Sequence, residues 1–312
     1  MKICVVGLGS IAKRHINNIR KIYPDAEIDI LRHSPAGGTN SNVSGVAGET
    51  DASYGISIYS YEDLADSYDA IFITNPTTMH IDTLQRLVNK SQAFFIEKPL
   101  RPMGCREDSI DSLPADKIFY VACPLRYTGI VRYLKENIDW NKVYSLRAMS
   151  SSYLPDWRSG TDYSKCYSAR KDLGGGVAAD LVHEWDYISY LIGKPKSVHA
   201  VERKLSNLNV DVEDVALYIG EYEDKLVEVH LDYFGRQTLR DLYIFMEDDT
   251  VYCDLVKNTV TYLKQNKTIA FDEARDDYQT AELKHFFDIA AGRIENDNSA
   301  GEAERLMRVL EK

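Results

Sequence analysis

KICVVGLGSIAKRH, residues 2–15, opens as a short β-rich run, breaks at Gly7-Leu8-Gly9 and resumes with the periodicity of an amphipathic helix. The break fits G-x-G-x-x-A. Gly7 permits a tight turn, Gly9 lets a pyrophosphate approach the backbone, and Ala12 keeps helix and strand close. The first helical residues, Ser10 and Ile11, present unpaired N–H groups to the anion. An ordinary βα turn would carry the same glycines. Placement at the first strand of an alternating βα region favours dinucleotide binding.

Working outward, β-rich runs recur at 27–31, 70–74, 93–97 and 117–122, with helical patterns at 11–22 and 78–89. Alternation of this kind predicts βαβ units and a parallel sheet covered on both faces. After about residue 140 strand-like segments follow one another, at 143–152, 197–205, 213–222, 225–234, 240–247, 250–254 and 258–264. One helix, 177–192, interrupts them, and helices at 278–292 and 299–311 follow. The expected fold class is an α/β Rossmann domain over 1–122 joined to an α+β domain with an open, mostly antiparallel sheet over 123–312. The Gly- and Ser-rich stretch 34–53 reads as a surface loop.

Composition excludes several classes. The 312 residues are 44% apolar and carry a net charge of −11, which repels a phosphate backbone and argues against nucleic acid as a partner. No run of about 18 apolar residues spans a bilayer, and Met1 leads into a strand instead of a signal peptide, so the expected location is the cytoplasm, with no membrane partner. Five scattered cysteines without a C-x-x-C suggest reduced thiols. No H-E-x-x-H spacing appears, so no catalytic metal is expected.

The end of the strand 27–31 bears on the cofactor. Asp29 stands 20 residues after Gly9, where an acid can hold the ribose 2′-hydroxyl of NAD, but Ile28, Ile30 and Leu31 place it inside the strand. Arg32-His33-Ser34 follow the strand and suit the 2′-phosphate of NADP. The two registers compete, and NADP(H) is favoured over NAD(H). TNPTTMH (74–80) and EKP (97–99) lie at the carboxyl edge of the parallel sheet, where open α/β folds bind ligands. Thr74, Asn75, Pro76, His80, Glu97 and Lys98 are therefore candidate cofactor contacts.

GGGVAADLVHEWDYISYLIG, residues 174–193, places Asp180, His183, Glu184 and Tyr187 at i, i+3, i+4 and i+7 of one expected helix, behind a glycine-lined entrance. Histidine titrates near neutrality and a neighbouring carboxylate can hold its tautomer, which makes an acid/base site. A solvated polar face is the competing reading.

In this order the motifs G-x-G-x-x-A, T-N-P-x-x-x-H, E-K-P, Arg126-Tyr127 and GGG-x-x-x-D with a helical histidine resemble the Gfo/Idh/MocA oxidoreductases over nearly the whole chain. The resemblance implies NAD(P)-dependent hydride transfer at a hydroxyl-bearing carbon of a sugar, sugar nucleotide or related carbohydrate. It implies Lys98 near the nicotinamide, Asp180 binding substrate, and His183 as acid/base. Common members place that histidine four residues after the aspartate; here the interval is three, and Glu184 holds the fourth position. The loop 153–176 resembles a branch found with bacterial surface-polysaccharide sugar genes. There Tyr153, Trp157, Arg158, Tyr163 and Arg170, with Arg126, Tyr127, Asp180, His183 and Glu184, are candidate substrate contacts. The family's sheet domain often mediates dimerisation, so a homodimer or dimer of dimers is expected. A dinucleotide- or sugar-sensing protein without catalysis, or a reductase of imine-like substrates, are alternatives on the same fold.

Overall fold

The computed structural model describes residues 1–32, 53–105, 110 and 113–311. The first unit begins with β1 (Lys2–Val6), α1 (Ser10–Ile22), β2 (Glu27–Leu31), β3 (Ile56–Ile58), β4 (Ala70–Ile73), α2 (His80–Leu87), β5 (Ala93–Ile96) and β6 (Ile118–Val121). These six strands form one parallel sheet in the order β3-β2-β1-β4-β5-β6. Ile3 to Val6, Ile71 to Ile73 and Phe94 to Ile96 are fully buried, as strands covered on both faces must be. The order reverses between β1 and β4, which sets the Gly7-Leu8-Gly9 turn beside residues 74–75 at the carboxyl edge.

The second unit contains α3 (Gly129–Asn137), β7 (Val143–Tyr153), α4 (Val177–Asp180), α5 (His183–Ile192), β8 (Ser197–Arg203), β9 (Val215–Glu221), β10 (Leu226–Asp232), β11 (Phe234–Met246), β12 (Thr250–Asp254), β13 (Thr259–Tyr262) and β14 (Lys267–Ala270). Its eight-stranded sheet runs β14-β13-β12-β11-β7-β10-β9-β8. Only the β7–β10 pair is parallel. Tyr144, Leu217, Ile219, Leu226 and Phe245 stand exposed at alternate positions of its strands, while their neighbours Val143, Leu146, Ala216, Tyr218, Val227 and Ile244 are buried.

Helices α6 (Arg275–Ala290) and α7 (Ala300–Leu310) revise the expected division. The first unit is Met1–Ala122 together with Gln279–Glu304, and the second is Cys123–Tyr278 with Arg305–Lys312. Aromatic packing explains the return. Phe286 meets Phe72, Phe95 and Tyr120 at 5.7, 5.3 and 5.8 Å between ring centroids. Asn298 also satisfies the free edge of β6, its carbonyl accepting from Val121 N at 2.9 Å and its Nδ2 donating to Val121 O at 2.7 Å.

Three short elements escape the sequence pattern. β3 is a three-residue strand beginning at an exposed Ile56, β14 is a largely exposed edge strand, and α3 is announced mainly by Thr128, whose Oγ1 accepts from Val131 N at 3.3 Å. The expected helix 177–192 is two helices, interrupted at Leu181 (φ −101°, ψ 27°) and Val182.

Candidate active site

In the first unit the glycine turn has room for phosphate. Gly7 adopts φ +88°, a conformation that favours glycine, with its backbone against Thr74 and Asn75. A Cβ at Gly9 would meet nothing within 4 Å. α1 starts there without a side-chain cap and without an acid in its first turn, and Ser10 is exposed. Open space before a row of unpaired N–H groups fits a dinucleotide pyrophosphate. Ala12 is buried.

Asp29 is engaged within the first unit. It is buried inside β2, accepts from Tyr68 OH at 2.8 Å, and has Lys2 Nζ at 3.4 Å. Arg32 directly follows β2, its amide bonded to Ile58 O at 2.8 Å. His33 and Ser34 lie outside the described residues.

Several expected cofactor contacts turn inward. Thr74 Oγ1 donates to Val6 O at 2.7 Å, and Asn75 Nδ2 donates to Thr83 Oγ1 at 2.8 Å. His80 is buried with its Nε2 donating to Asn75 O at 2.9 Å, so it braces the 74–76 turn; burial lowers its pKa. Pro76 stays half-exposed in that turn. Glu97 faces His15, a residue the motif reading passed over, with His15 Nε2 at 2.6 Å from Glu97 Oε1. Burial alone would raise the Glu97 pKa, but the His15 hydrogen bond and the charges of His15, Lys98 and His80 bring it below the usual value. Lys98 is half-buried and begins a cis peptide to Pro99.

In the second unit Asp180 closes α4, half-exposed, with Ser168 Oγ donating to its Oδ2 at 2.5 Å and Tyr233 OH at 3.3 Å. Burial, then the nearby Asp180 charge, push the Tyr233 phenol far up, so it stays a donor. His183 begins α5 and is also half-exposed. The helix break separates these two from the rest of the expected face. Glu184 and Tyr187 are fully buried, and Glu184 Oε1 stands 2.8 Å from Arg240 Nε. Glu184 is therefore an internal counter-charge, not a substrate contact.

Gly175 and Gly176, before α4, are packed against the chain instead of lining an entrance. A Cβ on Gly175 would sit 2.0 Å from the Tyr167 carbonyl oxygen, and one on Gly176 (φ +122°) 2.2 Å from Glu213 Oε1. Glu213 accepts from Ala178 N at 3.1 Å, and burial pushes its pKa up to about 6.

Of the remaining candidates, Arg126 is committed to a fork on Asp186, Nε to Oδ2 at 3.0 Å and Nη2 to Oδ1 at 2.7 Å. Arg170 forks Asp172 in the same way, at 3.0 and 2.9 Å. Both are engaged in ion pairs within the second unit. Tyr127 is half-exposed beside Arg126, and Tyr153 lies under Arg236, 3.8 Å from its ring centroid. Trp157, Arg158 and Tyr163 line one water-sized gap with Leu154, Thr161 and Cys166. Trp157 is held by Ser152 at 2.9 Å and by an edge contact with Tyr233, which joins the wall of that gap to the Asp180 cluster.

Among the described residues no group of three or more His, Cys, Asp or Glu is gathered as a metal site, and no helix is long and apolar enough to cross a membrane.

Comparison with known proteins bears on the fold. Residues 1–107 match the GFO_IDH_MocA oxidoreductase family with an NAD-binding Rossmann fold, and residues 131–251 match the GFO/IDH/MocA C-terminal domain. Solved structures share the fold across nearly the full chain. UDP-N-acetylglucosamine 3-dehydrogenase GnnA from Acidithiobacillus ferrooxidans is 18% identical with a TM-score of 0.74, covering 99% of this chain and 94% of that one. The WlbA dehydrogenase from Bordetella pertussis, solved with NADH and UDP-GlcNAcA, is 17% identical with a TM-score of 0.73 and the same coverage. A levoglucosan dehydrogenase solved with NADH and levoglucosan is 16% identical with a TM-score of 0.79, covering 98% and 94%.

Proposed function

The chain belongs to the GFO/IDH/MocA oxidoreductase family, and from that premise we propose that it transfers hydride between a nicotinamide and a hydroxyl-bearing carbon of a sugar nucleotide. The single observation that carries the sugar reading is the Asp180 cluster. A half-exposed carboxylate oriented by two hydroxyl donors suits recognition of a substrate hydroxyl, the group a carbohydrate offers most. Nearby, Trp157 and Tyr163 as aromatic groups and Arg158 as a guanidinium suited to phosphate or carboxylate support the nucleotide part. The structure solved with UDP-GlcNAcA and the UDP-N-acetylglucosamine dehydrogenase support a sugar nucleotide, and the levoglucosan dehydrogenase supports a carbohydrate more broadly.

The nicotinamide supplies the redox chemistry when bound. His183 takes the proton of the substrate hydroxyl in oxidation and returns it in reduction, while Lys98 serves the nicotinamide end of the cofactor as a hydrogen-bond donor. Asp180 orients the substrate. Arg32 holds a 2′-phosphate, so NADP(H) is preferred. The protein acts in the cytoplasm as a homodimer, or a dimer of dimers, formed through the exposed sheet face that carries Leu217 and Ile219.

The test is nicotinamide absorbance with NADP⁺ and NAD⁺ against UDP-linked hexoses, UDP-linked hexuronic acids and the free sugars. Turnover with a UDP-sugar is the expected result. Turnover with free sugars alone would overturn the sugar-nucleotide reading, and cofactor binding without turnover on any of them would favour a sensing protein.

A further inference from the structure

The phosphate-binding helix and the catalytic-edge lysine are joined by a contact that no motif announces. His15 lies on α1, in the second turn below the Gly9 cradle, packed against Phe72 and Phe95 with ring centroids 5.8 and 5.0 Å away. Its Nδ1 is buried with no hydrogen-bond partner, so Nε2 is the ring nitrogen that bonds, reaching Glu97 Oε1 at 2.6 Å. The other carboxylate oxygen of Glu97 accepts the backbone N–H of Lys98 at 3.3 Å. One carboxylate therefore spans from the helix to the chain beyond β5, two positions 82 residues apart in sequence.

We propose that His15 is a positioning residue, fixing the backbone at Lys98 to the phosphate-binding helix through Glu97. Its bearing on turnover rests on the role given to Lys98 above. An aromatic wall that holds a histidine ring but leaves one nitrogen unpaired is costly unless the other nitrogen does a task that a hydrocarbon cannot. That task is orientation. A carboxylate free to rotate would still be an anion near Lys98, but it would no longer hold the Lys98 amide. The His15–Glu97 contact makes the cradle and the lysine backbone one hydrogen-bonded body.

Amide hydrogen exchange at Lys98 in the full-length protein, without cofactor, tests this directly. His15→Leu and His15→Phe each fill the aromatic wall and remove the donor. Both should speed exchange at Lys98 by roughly three- to tenfold, the value of one net hydrogen bond, while Phe94 to Ile96 keep the parent rates. His15→Gln places an amide N–H near the position of Nε2 and should stay within about twofold of the parent. An unchanged Lys98 rate in either hydrocarbon variant, equal acceleration in His15→Gln, or acceleration shared by the whole of β5 would overturn the proposal. Lys98→Met turning over like the parent would instead remove the chemistry assigned to Lys98 and leave this contact standing.

Discussion

At the scale of single residues, the proposed chemistry and the folding load separate by burial. Lys98 and His183 are half-exposed, whereas His80 and Glu184 are spent inside the protein. Lys98→Met and His183→Ala should each lower kcat about 100- to 10,000-fold while fluorescence titration finds cofactor affinity nearly unchanged; parent-like turnover would reject that residue's role. Arg32→Ala should lose most of an NADP(H) preference of about ten- to a hundredfold, the value of a charge-assisted hydrogen bond. Asp29 cannot reverse the preference, because its carboxylate is held by Tyr68. Tighter NAD(H) binding by the parent, or an unchanged ratio in the variant, would count against Arg32. Glu213 carries a pH signature. Its pKa is raised from 4.5 to about 6, so the folded state holds the proton more firmly than the unfolded chain between these values, and stability falls as pH rises through that window. Glu213→Gln keeps the acceptor for Ala178. It should be more stable than the parent by on the order of 1–2 kcal/mol at about pH 7.5, and level with it near pH 4, by chemical denaturation. The inward turn of Thr74, Glu97 and His80 was not legible in the sequence, since the partners that capture them, such as Val6 and His15, are distant along the chain.

At the scale of elements, two glycines of similar appearance do different work. Gly9 faces open space, so Gly9→Ala should cost under about 1 kcal/mol of stability yet weaken cofactor binding severely. Gly175 abuts the Tyr167 carbonyl at a separation no Cβ tolerates, so Gly175→Ala should lower stability by about 2 kcal/mol or more through backbone displacement. Thermal melts with and without NADPH distinguish the two: parent-like melting of Gly175→Ala, or full ligand stabilisation of Gly9→Ala, would contradict the assignment. The βα alternation was legible because strands buried on both faces leave continuous apolar runs. The interruption at Leu181 and Val182 was not, since Val177 and Ala178 before it, Leu181 within it and Trp185 and Ile188 after it are all apolar and buried, which leaves no change of pattern at the break. β3 and β14 expose much of their short length, so neither leaves a periodic trace.

At the scale of the whole molecule, the first unit cannot be cut out at residue 122. The fragment 1–122 lacks Phe286 and Phe287 over Phe72 and leaves the β6 edge without Asn298. It should expose aromatic surface, bind a hydrophobic dye and aggregate, and co-production of 279–304 as a separate peptide should improve its solubility. A soluble, cooperatively melting fragment would contradict this. The proposed dimer predicts that Ile219→Asp, on the exposed sheet face, shifts sedimentation towards monomer; an unshifted dimer would place the interface elsewhere, and a parent that sediments as a monomer would remove it. The return of Gln279–Glu304 also dictates an order of events at the ribosome. The nascent Rossmann sheet emerges first, but its last edge stays uncovered while the rest of the chain is made. At roughly 5–20 residues per second that interval is on the order of ten seconds or more. Throughout it the nascent chain presents an open strand edge and an aromatic face to its surroundings, a natural point of engagement for chaperones.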